Sequence, residues 1–421
     1  MLDIHFVQNN PDRITKDAKS KGVSISLETI CNTYDSWKKA RQELETLQNQ
    51  RKTLAKQSSS GSSQEQIKQA REIKQAIQSL QETIRKLHED WTSTLKAVPN
   101  IIAPDVPLGP TDAYNEILKE IGTRPTFAFE PKDHMDVMQN LDIIDFDSAT
   151  KTTGTKFYFL KNEAVLLELA LIRYAIDVAL KHNFTLFQTP DLAKSDTVDS
   201  LGYSPRSDSP DIYLIENEDL CLIGTAEITL GGYLADMIYK HDDLPIRMVG
   251  ISHCFRKEAG AAGKYSRGLY RVHQFSKVEL FSCVDTNASD DELEHIRTIE
   301  EEIFSGLGIP FRVVSVCSGD LGAPAYKKYD LEAWLPGKNK GTWGEITSTS
   351  NCLDFQSRRL NIRYRETTGT KKTIPHTLNG TAIATSRAMI ALVENYQQQD
   401  GSIVIPEALR PYTGFSEISK K

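Results

Sequence analysis

Apolar residues at Ala70, Ile73, Ile77, Leu80, Ile84, Leu87 and Trp91 recur at spacings that alternate between three and four. That rhythm is the narrow seam of a coiled-coil helix. Upstream, Ile30, Tyr34, Trp37, Leu44, Leu47 and Leu54 form a looser stripe, interrupted by Arg41, Gln48 and Arg51. The polar run QSSSGSSQ at 57–64 separates the two stripes and suits a turn. The pattern predicts an antiparallel pair of helices, each about 45 Å long at the helical rise. A pair with so thin a core is expected to project as an arm. VPNIIAPDVPLGP, residues 98–110, follows; its four prolines stop helix and favour extended chain, which marks a linker.

Beyond residue 111 the pattern changes. Residues 164–182 are apolar almost all round, which predicts a helix that is deeply buried or shared with a second subunit. FTLFQTPDL then reads as a strand ending at Pro190. Short strands are predicted at 211–215, 220–224, 246–252, 311–317 and 343–355, with a charged helix at 290–305 and another helix at 385–397. Many strands linked by hairpins, with helices set apart in sequence, predict an α+β domain around a mostly antiparallel sheet.

Composition adds limits. A chain of 421 residues suits two or three domains, and 39% hydrophobic with 25% charged residues is ordinary for a globular protein. No apolar run long enough for a membrane span occurs, and the start lacks the basic-then-apolar order of a secretory signal. Six cysteines lie scattered with no CxxC pair, which argues against a disulfide framework or a zinc ribbon and fits a reducing, cytoplasmic setting. The net charge of −7 is unevenly spread. Residues 31–100 hold twelve Lys/Arg against eight Asp/Glu, a surplus of +4, leaving −11 for the rest. Cations cluster near the predicted tip: Arg51, Lys52 and Lys56 on one helix, Lys68, Arg71 and Lys74 on the other. A basic arm suits an extended RNA gripped by backbone and shape; a dimerising coiled coil is the alternative.

The chemistry concentrates in FRKEAGAAGKYSRGLYRVHQFSKVEL, residues 255–280. It reads as two strands around a glycine-rich loop, 259–270, placed to close over a site. Alternation puts Arg256 and Glu258 on one face, and Arg271, His273, Phe275, Lys277 and Glu279 together on the next strand. A cation, carboxylates and a flat ring suit a nucleotide: guanidinium to phosphate, ring to base, carboxylate to an amino group. A solvated strand face with ordinary ion pairs is the alternative. No GxGxxG follows a strand, AAGKYS at 261–266 fails as a Walker loop, and no GxSxG elbow occurs.

These residues carry a resemblance. The stretch 255–280 resembles motif 2 of the bacterial-type seryl-tRNA synthetases, a class II aminoacyl-tRNA synthetase family. GTAEITL at 224–230 resembles that family's serine-site segment, GEITSTSNCLDFQSRR at 344–359 its E-x-S-S-x-S-N-x-x-D-F-Q-x-R-R run, and LNGTAIATSRAMIALVENYQ at 378–397 its motif 3. The helix at 164–182 and the strand ending at Pro190 resemble motif 1, the dimer element. The resemblance spans essentially the whole chain.

It implies an N-terminal tRNA-binding domain at 1–105, with its arm at about 27–97, and a catalytic domain at 106–421 built on the class II antiparallel sheet flanked by helices. Arg256 would hold the ATP α-phosphate, Glu258 the adenine amino group, and Phe275 would stack under adenine with Arg387 on the other face. Lys257, the backbone at Val272, and Ile346 and Thr347 would complete the ATP contacts. Glu345 and Ser348 would bind Mg²⁺ on the phosphates. Thr225, Ala226, Glu227, Arg256, Glu279 and Thr381 would frame serine. Arg256, Glu279 and Arg387 are the expected catalytic residues. The activity implied is ATP-dependent ligation of L-serine to tRNA(Ser) through seryl-adenylate, with tRNA(Sec) a further candidate, by a homodimer joined at motif 1. The cationic arm tip would then grip tRNA. The chain departs from the family at Thr381 and Ala382, where Ser and Gly are commoner, and at Thr347, which replaces Ser. Rival readings are a non-catalytic paralogue, disfavoured by the presence of Arg256, Glu279, Glu345 and Arg387, and a ligase for threonine or alanine.

Overall fold

The computed structural model describes residues 1–57, 63–204, 211–258, 268–337, 340–366 and 371–420. The glycine-rich stretch 259–267 and the turn residues 58–62 therefore lie outside the described residues. The chain divides into two compact units, Met1–Ile101 and Ile102–Lys421.

In the first unit, two long helices, α1 (Leu27–Gln57) and α2 (Gln64–Lys96), pack along each other. Ser63 starts α2 with a capping box: its hydroxyl accepts from the Gln66 N–H at 3.2 Å while the Gln66 side chain accepts from the Ser63 N–H. Ile73, Ile77 and Trp91 from the expected seam are buried, as are Ile30 and Tyr34 from the looser stripe. Tyr34, Trp37 and Trp91 meet at ring separations of 5.2 to 5.7 Å and close the base of the pair. Toward the other end Ala70 is exposed and Ile67 is 45% exposed, so the apolar seam fades there.

The second unit is built on one eight-stranded sheet. Its strands are β1 (Glu116–Ile121), β2 (Thr185–Gln188), β3 (Ile246–Phe255), β4 (Gln274–Val284), β5 (Phe311–Ser315), β6 (Lys327–Leu335), β7 (Thr342–Asn351) and β8 (His376–Ala384). They lie in the order β1-β5-β6-β7-β8-β4-β3-β2, antiparallel throughout except at the β2–β3 edge. Helices α3 (Glu163–Lys181), α4 (Ala226–Tyr233), α5 (Ser289–Gly306) and α6 (Thr385–Tyr396) complete the frame that concerns the site. Helices α3, α5 and α6 share one continuous core with residues such as Val278, Leu280, Leu331 and Ile383 of the sheet. This is the mostly antiparallel α+β architecture expected from the strand pattern. Among the described residues, no helix is long and apolar enough to cross a membrane.

Two expectations change in detail. The segment at 211–215 forms only an isolated bridge, through Leu214, instead of a strand. Strand β3 ends at Phe255, and β4 starts at Gln274. Arg256, Glu258, Arg271 and His273 therefore lie beyond the paired strands, and Glu258 takes a left-handed φ of 49°. Arg256 still meets His273 through the backbone, its N–H donating to the His273 carbonyl at 3.0 Å, while Glu258 is placed by its side-chain bond to Arg271 instead of by strand alternation.

Candidate active site

Two bulges shape the cavity face of the sheet. Between β6 and β7, Leu331 pairs with Thr347 but Glu332 pairs with Glu345, so Ile346 is the extra residue. Without it, alternation would put Glu345 and Ser348 on opposite faces; with it, both line one cavity. Between β8 and β4, Thr381 pairs with Glu279 but Ile383 pairs with Val278, so Ala382 is the extra residue. Ile383 thus enters the core while Thr381 and Ala384 line the cavity.

The cavity holds about 440 Å³. At one end lies a polar nest. Glu279 is 2% exposed, forms an ion pair with Lys277 two residues earlier on the same face, and accepts from the Thr381 hydroxyl at 3.3 Å. Beside it is Glu227, in the first turn of α4, where the Thr225 hydroxyl caps the helix by accepting from the Glu227 N–H. Tyr203 donates to one Glu227 oxygen at 2.8 Å; Gln356 and Asn379 donate to the other at 2.7 and 3.0 Å. Burial, and secondly the Glu279 charge, push the Glu227 carboxyl up to about 7 against those donors. The nest is small, polar and buried, which suits an amino acid bearing a hydroxyl.

At the other end are the cationic and aromatic groups. The Arg256 guanidinium lies 5.4 Å from the Phe275 ring centre and donates from Nε to the Gly224 carbonyl at 3.3 Å. Arg387, in the first turn of α6, lies 4.9 Å from the Tyr270 ring centre and donates to Glu345 at 2.7 Å. Phe275 and Arg387 line the same cavity. Burial would raise the Glu345 carboxyl, but Arg387 and Lys328 hold it below its ordinary value, so it is ionised at neutral pH. The Arg387 guanidinium is correspondingly raised, burial opposing and Glu345 favouring its charge.

Not every expected residue borders the cavity. Glu258 accepts from Arg271 at 2.9 Å, and Lys257 lies over the Tyr213 ring at 5.8 Å. Val272 and Ala226 are buried in packing. Thr347 lines the cavity, yet its hydroxyl donates to Glu300 of α5 at 2.8 Å. Thr349 also donates to Glu300, whose carboxyl burial drives well above its ordinary value. The methyl that distinguishes Thr347 from the commoner Ser therefore accompanies a hydroxyl committed to α5. Lys277, Tyr203, Gln356 and Asn379 are site residues the sequence reading missed. Lys277 had a signal, its place two residues before Glu279 on a strand face; Gln356 and Asn379 stand inside the motif-like stretches 344–359 and 378–397 but were given no role, and only Tyr203 had no signal at all.

The donor set suits a hard divalent cation. Glu345 offers a carboxylate and Ser348 a hydroxyl, while one oxygen of the buried Asp330, opposite Ser348 in the ladder, has no hydrogen-bond partner among the described residues. Such few oxygens match Mg²⁺, which is commonly held by one or two carboxylates together with substrate phosphates.

The expected arm residues Arg51, Lys52, Lys56, Lys68, Arg71 and Lys74 are all exposed. Arg51, Arg71 and Lys74 border one groove with Leu54 and Ile67 between α1 and α2.

Comparisons with known proteins identify the family. The family described as tRNA synthetase class II core domain (G, H, P, S and T) matches residues 213–396, and the seryl-tRNA synthetase N-terminal domain family matches residues 1–102. The serine–tRNA ligase of Treponema denticola is 49% identical over 99% of this chain and 100% of its own length. That of Rubrobacter xylanophilus is 48% identical over 98% of each. Among solved structures, the seryl-tRNA synthetase of Pyrococcus horikoshii complexed with ATP superposes with a TM-score of 0.91 at 38% identity over 100% of both chains. The cytoplasmic enzyme of Naegleria fowleri in complex with AMP gives 0.87 at 30%, over 100% of this chain and 99% of that one.

Proposed function

The chain belongs to the seryl-tRNA synthetase family of class II ligases, and from that premise we propose that it joins L-serine to tRNA(Ser) with ATP, through seryl-adenylate. The observation that carries the reading is the single cavity in which the Glu227–Glu279–Lys277 nest adjoins Arg256, Phe275 and Arg387. The nest receives serine: Glu279 and Thr381 face its hydroxyl or amine, and Glu227 adds a second carboxylate for the ammonium. Adenine stacks on Phe275, which requires Arg256 to leave its place over that ring and take the α-phosphate. Arg387 lies over the other face of the base.

A serine carboxylate oxygen then attacks the α-phosphorus, the bond to the β-phosphate oxygen breaks, and pyrophosphate leaves. In the second step a terminal ribose hydroxyl of tRNA attacks the seryl carbonyl and AMP leaves. No covalent enzyme intermediate is needed; alignment and neutralisation of charge by Arg256 and Arg387 supply the rate. Glu345 and Ser348 would hold Mg²⁺, which when bound supplies further neutralisation of the phosphates. The buried polar groups of the nest reject alanine, because they would be left unpaired.

We place the reaction in the cytoplasm, with a homodimer joined through α3 and with the arm gripping tRNA; tRNA(Sec) is a second acceptor to assay. The test is serine-dependent exchange of pyrophosphate into ATP across the twenty amino acids. Serine alone should support exchange, and Arg256→Ala or Arg387→Ala should lower it by at least about a hundredfold, the scale of one lost charge stabiliser. No exchange with serine at any Mg²⁺ concentration would reject the reading.

A further inference from the structure

Outside the cavity, a buried histidine closes a ring of contacts behind the ATP end of the site. His134 is 8% exposed and Glu394, on α6, is 2% exposed. Glu394 accepts from the His134 backbone N–H at 3.2 Å and meets the ring Nδ1 at 3.0 Å, while its second oxygen accepts from the Gly337 N–H at 2.9 Å. On its far side the imidazole meets the fully buried Leu269, whose N–H donates to Nε2 at 3.2 Å. A nitrogen that accepts from an amide carries no proton, so the proton sits on Nδ1 and is donated to Glu394. Gly268 has a φ of 72°, and a Cβ there would come within 2.2 Å of His134 Nε2, so the close approach requires glycine.

The next residue carries this fixation into the site. The Tyr270 hydroxyl donates to the Glu345 carbonyl at 3.2 Å, and its ring lies beneath the Arg387 guanidinium. Arg387 and Glu394 stand on the same helix, α6, about two turns apart. One helix therefore holds Leu269–Tyr270 from both sides, through Arg387 on the ring and through Glu394 and His134 on the backbone.

We propose that His134 is a positioning residue of the ATP site: its Nδ1–H tautomer, set by Glu394, fixes the Leu269–Tyr270 backbone so that Tyr270 seats Arg387 and Glu345. Among the described residues no such link runs to the serine nest, whose bonds come from Lys277, Thr381, Tyr203, Gln356 and Asn379. The inference rests on the ligase reading for its kinetic consequence.

Its test is pyrophosphate exchange with ATP and serine varied separately in the full-length protein. His134→Ala should raise the KM for ATP about tenfold or more and leave the KM for serine within about twofold, as expected for an interaction on the ATP side alone. His134→Gln, which keeps one donor and one acceptor, should recover most of the loss. An unchanged KM for ATP, an equal rise for both substrates, or failure of His134→Gln to recover would each overturn the proposal. Should His134→Ala not fold, the wild-type protein still decides it. Nitrogen NMR of histidine-labelled protein at neutral pH should show the Nδ1–H tautomer for His134, and an Nε2–H or doubly protonated ring would overturn it. Wild-type protein without serine-dependent exchange would sink the ligase reading, whereas the tautomer result would still stand or fall by itself.

Discussion

Glu227 shows how a single buried carboxyl sets two pH dependences at once. Burial raises it from 4.5 to about 7, with the nearby Glu279 charge adding to the rise. The unfolded chain releases this proton near its ordinary value, while the folded chain keeps it until about pH 7. The group's stabilising contribution is therefore complete below about pH 4, falls as the pH climbs toward 7, and is gone above that. A rise of this size corresponds to roughly 3 kcal/mol. Glu227→Gln should remove the dependence while keeping the shape: the amide oxygen still accepts from Gln356 and Asn379, and the amide nitrogen donates to the Tyr203 hydroxyl. Melting scans from pH 5 to 8 should show the variant gaining on the wild type by about 5 °C as the pH rises. Parallel curves would mean that Glu227 ionises normally in the folded protein. If the carboxylate also meets the serine ammonium, the same variant should raise the KM for serine at least about tenfold at pH 8, the cost of one charge-assisted bond.

The elements decide which side chains reach the cavity, and here much of the design was legible in the chain. The three-four rhythm of α2, the apolar α3, the β3–β4 pair and the charged α5 all follow from spacing alone. Strand β6 was not read from the chain: Tyr329, Leu331 and Ala333 turn to the core with Lys328, Asp330 and Glu332 alternating between them, and those charges hide it among loop-like segments. Strand β8 was not legible. HTLNGTAIA is rich in small and polar residues with weak strand preference, and it is buried on both sides because neighbours on either side supply the bulk. The bulges at Ile346 and Ala382 were equally hidden, since a bulge shows only when two strands are aligned. That is why strand alternation predicted the Phe275–Glu279 face but not the joining of Glu345 to Ser348. Gly380 tests the tightness of β8. A Cβ there would lie 2.3 Å from Ile296 and 2.9 Å from both Glu300 and Thr349. Gly380→Ala should cost about 1–3 kcal/mol through overpacking. The loss is read as a lower urea midpoint, with weaker serine use because Thr381 follows directly. A wild-type midpoint would show that α5 yields instead.

On the scale of the whole molecule, the remaining questions concern what each unit meets. Helix α3 buries Leu167, Ala170 and Leu171 in the core yet leaves Val165, Leu166 and Leu169 between 40% and 57% exposed. An apolar face of that kind suits the proposed homodimer, and on that proposal Leu169→Glu should shift the protein from dimer to monomer in light scattering after gel filtration. A dimer that persists would move the interface elsewhere. In the first unit the candidate chemistry is an exposed set of cations, Arg51, Lys52, Lys56, Lys68, Arg71 and Lys74, on two packed helices. On the proposed role such a surface would neutralise phosphates without reading bases, and its affinity for tRNA should then fall steeply with salt. Deleting about residues 30–97 should therefore abolish charging of tRNA while sparing serine-dependent pyrophosphate exchange, because every group of the cavity lies in the second unit. Neutralising the six cations should give the same separation in milder form, with a weaker dependence of tRNA affinity on salt. Charging that survives the deletion would assign the arm another task, and exchange lost along with charging would show that the second unit needs the first in order to work.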